Sequence, residues 1–268
     1  MPREVAKGMQ CNARRVMMTA APVIVNKLEA LPEELMDEML QTAVPDRINL
    51  ASPETVLVPG QLPSFMPSII RLSRSTRQLK YIQAVLRKAV FEVKSLRDLN
   101  TMHNWLASID FTSFPHGLRN GFDAVRSLSF SDINRTASLM SNQRWPAPST
   151  WANDLQLAQM CNDLRHVEVD VSLSDRFLVA IGNTHSMAEA MRIMEAMKEE
   201  GEDNSQTYQL TRFLELKGLE VLRLQFFTDE WNMTTLNDGK MRMVTSWLEE
   251  EFKAREQSVK VEFFGWEE

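Results

Sequence analysis

Cysteine is almost missing from this chain. Cys11 and Cys161 are the only two among 268 residues, and they lie far apart. They cannot build a disulfide framework for a chain this long, so reduced thiols and a cytoplasmic or nuclear setting are expected. Glycine is sparse as well. The nine glycines are scattered, and none falls in GxGxxG or GxxxxGK[ST], so no backbone cradle for a nucleotide phosphate is legible. His103, His116, His166 and His185 stand at no recognisable metal-ligand spacing with Cys, Asp or Glu, and no GxSxG elbow occurs. No cofactor, metal or catalytic residue is therefore expected. No apolar run approaches the ~20 residues of a membrane span, and the first 25 residues lack the apolar core and cleavage site of a secretory signal.

What is present fits a globular chain. Hydrophobic residues make up 44% and charged residues 25%, enough for a sizeable core. Residues 1–27 carry Arg3, Lys7, Arg14, Arg15 and Lys27 against Glu4 alone, while the whole chain has a formal net charge of −6. The tail is basic and the body acidic. An acidic body lacks the clustered Lys and Arg that neutralise phosphates, so nucleic acid is not an expected partner. The tail is read as disordered rather than as a mitochondrial presequence, since serine is scarce and Pro2 and Gly8 weaken a helix there. The acidic runs Glu199–Asp203 and Glu249–Glu251 read as solvated helix faces or ends.

The first helix is predicted just after Pro32. Proline is tolerated in a first turn, and Glu33 and Glu34 suit the positive end of the helix dipole. Leu35, Met39, Leu40 and Ala43 form one apolar stripe, with Leu28 and Leu31 able to fold back onto it, and Pro45 ends it. Residues 46–66, with Pro53, Pro59, Gly60 and Pro63, read as a long loop. A helix with a basic face is predicted over Pro67–Lys88. After it, strand candidates (Val90–Val93, Val125–Phe130, Leu164–Val171, Leu219–Phe226, Val259–Phe263) alternate with helix candidates (Leu96–Ile109, Trp151–Asn162, Met187–Glu199, Thr207–Leu216, Lys240–Glu256). Such alternation predicts parallel pairing with helical crossovers. The fold class expected is α/β, α+β over the whole chain: a helical N-terminal part, then a mainly parallel sheet.

Four strands share a degenerate pattern, apolar-x-x-apolar-x-apolar. It reads Val125-x-x-Leu128-x-Phe130, Leu164-x-x-Val167-x-Val169 and Leu219-x-x-Leu222-x-Leu224. Val261-x-Phe263 follows with Ser258 in the leading place. The matched positions 128, 167, 222 and 261 are too unevenly spaced for a regular solenoid, and suit a curved sheet of long βα units. His166 reads as an exposed strand residue and Cys161 as a buried structural thiol. Trp105 and Trp247 sit on helical spacings and read as core. Trp145, between Arg144 and Pro146, reads either as a loop residue or as an exposed anchor.

The segment Leu28–Leu40 resembles the opening of an F-box, which commonly runs Leu-Pro-x-Glu-Leu into an amphipathic helix; Leu31, Pro32, Glu34 and Leu35 match it. Pro67–Arg77 is similar to a helix of fungal F-box-like proteins. Those proteins often continue into a strand such as Val90–Val93, a helix with a Trp-Leu pair such as Trp105-Leu106, and a leucine-rich-type strand such as Val125–Phe130. The sequence departs from the pattern at Gln78 and Lys80, where acidic Glu-x-Arg motifs are usual, and in the 46–66 stretch, long for an F-box.

The resemblance implies three parts: a tail at 1–27, a helical F-box-like region at 28–88, and a leucine-rich-repeat-like α/β region at 89–268. It implies a protein-interaction module that links an unknown protein substrate, through a Skp-type adaptor, to a cullin ubiquitin ligase. Leu28, Leu31, Pro32, Leu35 and Met39 would face the adaptor; the alternative is that they pack on the 67–88 helix as an ordinary N-terminal core. The other readings are a ligase-independent scaffold and an enzyme whose residues meet only in the fold. Parallel strands gather binding loops at their C-terminal ends. Here these are Ser131–Arg135, Ser172–Phe177 and Phe227–Met233, with Asp132, Arg135, Asp175, Arg176, Asp229, Glu230 and Trp231 as candidate partner contacts; the competing reading is that Trp231 caps the core and the charges are ordinary loop solvation.

Overall fold

Short β-favouring runs separated by amphipathic stretches fold here as an α/β chain. The computed structural model describes residues 32–71, 75–113, 117–131, 156–172, 180, 183–196, 213–227 and 238–263. The helices bounded within the described residues are α1 (Glu33–Thr42), α2 (Ser68–Arg71), α3 (Ser75–Lys88), α4 (Leu96–Ser108), α5 (Met187–Ala196) and α6 (Asp238–Ala254), and residues 156–160 are helical too. Its strands are β1 (Arg47–Asn49), β2 (Val90–Val93), β3 (Ser127–Phe130), β4 (His166–Ser172), β5 (Val221–Phe227) and β6 (Lys260–Phe263). None of the described helices is long and apolar enough to cross a membrane.

The chain divides into two units. One is Met1–Val44 with Phe65–Val85; the other is Pro45–Ser64 with Leu86–Glu268. In the first, Pro32 stands at the N-cap of α1, extended at φ −53°, ψ 145°. The Tyr81 hydroxyl on α3 donates to the Ala43 carbonyl just past α1 at 3.2 Å, and burial pushes its pKa up. The helix expected over Pro67–Lys88 is represented by α2 and α3, with residues 72–74 outside the described set.

The second unit holds the six described strands in one parallel sheet, in chain order from β1 to β6. Ile48, Phe91, Leu128, Val167, Leu222 and Val261 stand in one register row across it. Positions 128, 167, 222 and 261, matched by sequence pattern, are thus true strand neighbours. Consecutive parallel strands joined by right-handed crossovers keep their connections on one face. That face is apolar. Trp105 of α4 packs against Phe91 with ring centroids 6.4 Å apart. Met102, Leu106, Val244, Leu248 and Phe252 are fully buried, each burial contributing about 1.5–3 kcal/mol. Trp247 is half-buried, because it flanks the inward stripe of Val244, Leu248 and Phe252 rather than lying on it.

Three strands begin two residues later than the pattern suggested. Their leading apolar residues, Val125, Leu164 and Leu219, are buried in the turns ahead of the strands. At β6 the adjacent Val259 is buried instead. A 3-10 turn, Gly121–Ala124, precedes β3, with Asn120 accepting from the Phe122 N–H at 3.0 Å. Gly121 has no room for a side chain: a Cβ there would meet the Leu106 carbonyl oxygen at 2.8 Å. The free edge of β6 is covered locally, since the Val261 N–H donates to the Glu249 carboxylate of α6 at 3.0 Å.

Two further expectations differ from the structure. Residues 46–66, read as loop, contain β1, which pairs with β2 through Arg47–Val90, Ile48–Phe91 and Asn49–Glu92. A three-residue strand between Pro45 and Pro53 is too short to show alternation. Within Thr207–Leu216, read as helix, the described part forms a 3-10 turn over Phe213–Glu215.

Candidate functional site

Side chains alternate across a strand, so the residues next to the apolar row point to the opposite face of the sheet. Asn49, Glu92, Ser129, Glu168, Arg223 and Glu262 form that next row. It is polar throughout, and its charges are joined. Arg47 donates from Nε to Glu92 at 2.6 Å and from Nη2 to Glu168 at 2.8 Å. Arg223 donates from Nη1 to the other oxygen of Glu168 at 3.1 Å and from Nε to Glu262 at 2.8 Å. Lys94 lies 3.7 Å from Glu92, and Lys260 lies 2.6 Å from Glu262. A continuous chain of ion pairs therefore runs over the sheet from β1 to β6.

Glu168 is its hub. Its side chain is only 11% exposed, whereas Arg47 and Arg223 are each 49% exposed. Burial pushes the Glu168 carboxyl up, but the hydrogen bonds and charges of Arg47 and Arg223 outweigh it and hold the group below the usual carboxylate range. Glu262 is held low as well, first by Lys260 and then by Arg223. Arg47 and Glu168 are three strand steps apart, about 14 Å at the usual interstrand spacing. They meet because the β3 residue in that row is Ser129, small enough to lie beneath their side chains. Ser129 is buried accordingly. At the start of the strands, His166 is exposed and its Nδ1 lies 3.3 Å from the Ser127 hydroxyl.

A second candidate surface lies on α1. Leu35 is 49% exposed and Met39 44% exposed, and they stand one helical turn apart. Together with Val56 they are the large apolar side chains most open to solvent among the described residues. Pro32, at the head of the same helix, is exposed too. Leu28 and Leu31, the other residues assigned to an adaptor-facing patch, lie outside the described residues.

Strands β3, β4 and β5 are parallel neighbours and end at Phe130, Ser172 and Phe227 on one edge of the sheet. The candidate loop contacts beyond them, Asp132, Arg135, Asp175, Arg176, Asp229, Glu230 and Trp231, fall outside the described residues, as does Trp145. Cys161 is buried; burial and the charge of Asp123 push its thiol up to about 12, so at neutral pH it stays protonated and a poor nucleophile. Among the described residues, no three His, Cys, Asp or Glu side chains converge as a metal site.

Sequence reasoning did not single out the charged row. A signal was available for part of it: Glu168, Arg223 and Glu262 each follow a matched apolar position by one residue. Arg47 gave none, because its strand was not legible. No family model matches this chain, and no curated protein or solved structure does either.

Proposed function

We propose that this chain is a non-catalytic protein-binding module, built like a leucine-rich-repeat F-box protein and acting as the substrate receptor of a Skp-cullin-F-box ubiquitin ligase. The observation that carries the reading is the exposed apolar stripe of α1. An isolated exposed leucine needs no explanation, but Leu35 and Met39 share one face of a helix that opens Pro32-Glu33-Glu34-Leu35. In this reading the stripe, with Leu28 and Leu31 ahead of it, is buried by a Skp-type adaptor as an apolar helix face enters a groove. The parallel sheet, with its strands in chain order and its evenly registered apolar row, supports a leucine-rich-repeat-like body that holds the substrate. Transfer of ubiquitin would be the work of the rest of the ligase, so this chain needs no nucleophile of its own.

The test is capture of a purified Skp-type adaptor by the full chain and by Leu35→Asp. Half-exposed Leu35 tolerates a carboxylate in the free protein, but closing an adaptor over it would strand a charge in an apolar interface at a cost of several kcal/mol. Wild type is expected to retain adaptor and cullin on a column, and folded Leu35→Asp to lose both. Equal capture by the two proteins would remove α1 from the interface. A wild type that never captures the adaptor would leave a scaffold acting apart from the ligase.

A further inference from the structure

We infer that the exposed face of α1 docks on a partner protein whose receiving surface sets a row of lysine or arginine beside an apolar floor. The inference rests on the reading of α1 as a protein-binding face, and names the charge its partner carries.

The described side chains of α1 are Glu34, Leu35, Glu38, Met39 and Thr42, and all are exposed. Successive helical residues turn by about 100°, so Glu34 and Glu38 form one row and Leu35 and Met39 the row beside it. Within each row the two side chains stand about 6 Å apart along the axis. The helix, EELMDEMLQT, contains no lysine or arginine. Among the described residues, neither the Glu34 nor the Glu38 carboxylate makes an ion pair or a hydrogen bond. Helix stability accounts for Glu34, which lies in the first turn, where the dipole favours a carboxylate. It does not account for Glu38. That residue lies one turn on, where the dipole has faded and the two like charges repel each other.

An apolar row flanked by unpaired carboxylates discriminates among occupants. A second copy of α1 would set carboxylates against carboxylates. An anionic lipid surface would repel them. A neutral apolar groove would take Leu35 and Met39, but would partly strip two carboxylates of water without pairing them, which costs free energy. A cationic row beside an apolar floor meets both rows at once. The strongest match is another helix with apolar residues at i and i+4 and lysine or arginine at the same spacing alongside. Charge pairing of this kind suppresses wrong partners and fixes register.

The experiment measures binding of three fluorescent stapled-helix peptides to the full chain by anisotropy at low salt. Each presents a leucine row, flanked by a row of lysine, of glutamine or of glutamate. The lysine peptide is expected to bind about fivefold more tightly than the glutamine peptide, the effect of two exposed ion pairs, and the glutamate peptide more weakly still. The advantage of lysine over glutamine should vanish at high salt and in Glu34→Gln/Glu38→Gln. Glu54→Gln/Glu250→Gln removes the same charge from exposed residues elsewhere, and should keep the advantage. Leu35→Gln should weaken all three peptides while its melting temperature stays near wild type, since Leu35 is exposed. Five results would each overturn the inference. They are no binding of the lysine peptide, equal binding of the lysine and glutamine peptides, an advantage that survives Glu34→Gln/Glu38→Gln, an advantage lost equally in Glu54→Gln/Glu250→Gln, and lysine-peptide binding that Leu35→Gln leaves unchanged. Sedimentation of wild type, but not Leu35→Gln, with phosphatidylcholine–phosphatidylserine vesicles would assign the face to lipid instead, and a dimer dissolved by Leu35→Gln would assign it to a second copy. Adaptor capture separates the two readings. Capture that Glu34→Gln/Glu38→Gln leaves unchanged would sink the inference and spare the adaptor; lysine-peptide binding by a chain that never captures the adaptor would do the reverse.

Discussion

Glu168 shows how one residue decides the state of a surface. Two half-exposed arginines converge on its nearly buried carboxylate, so the folded chain favours its charged form. Its pKa is lower in the folded chain than in the unfolded one. The stabilisation is therefore complete above the unfolded value, ~4.3, and is lost as pH falls through the folded one. Urea midpoints measured from about pH 6 down to about pH 3 should drop more steeply for wild type than for Glu168→Gln, which has no proton to take up. Glu168→Ala should cost about 1–3 kcal/mol at neutral pH, because it leaves two guanidiniums without their shared acceptor. Parallel pH profiles for wild type and Glu168→Gln would show that the hub contributes nothing. Gly121 is a different kind of residue effect. Its Cα faces the Leu106 backbone too closely for a Cβ, so Gly121→Ala should lower stability by about 1–3 kcal/mol through overpacking. A melting temperature equal to wild type would mean that the turn gives way freely.

The elements were legible where their periodicity was long enough to read. Strands β3 to β6 emerged from the apolar pattern, and the matched positions even gave their register, because each buried row must present the same face to the helices. Helices α1, α4, α5 and α6 emerged from apolar residues at helical spacing. The charged row on the other face was harder to see. Its ion pairs join residues 45, 121 and 55 positions apart, and only strand order brings them together. Strand β1 was hidden by its length, and without it Arg47 had no place in any pattern. The apolar stripe of α1 was legible, but the exposure of Leu35 and Met39 was not, since buried and exposed helix faces can have the same spacing. At the sheet edge, Glu249 accepts the outward Val261 N–H, which blunts a strand that could otherwise pair with another chain. Glu249→Ala should expose that edge and raise self-association on concentration, measured by light scattering. An unchanged molecular mass at every concentration would mean that the edge is protected by something else.

At the scale of the whole molecule, two different surfaces belong to two different units. The helical unit presents Leu35 and Met39 to solvent, and the sheet unit presents a charged face ordered by Glu168. An apolar stripe suits a stable partner buried on every encounter. The most direct check of this division is hydrogen exchange on the full chain with and without a purified Skp-type adaptor. The adaptor is expected to slow exchange in α1, over residues 33–42, and to leave β4 and β5 unchanged. An adaptor that does not bind, or that binds and protects the sheet while α1 exchanges as before, would contradict it.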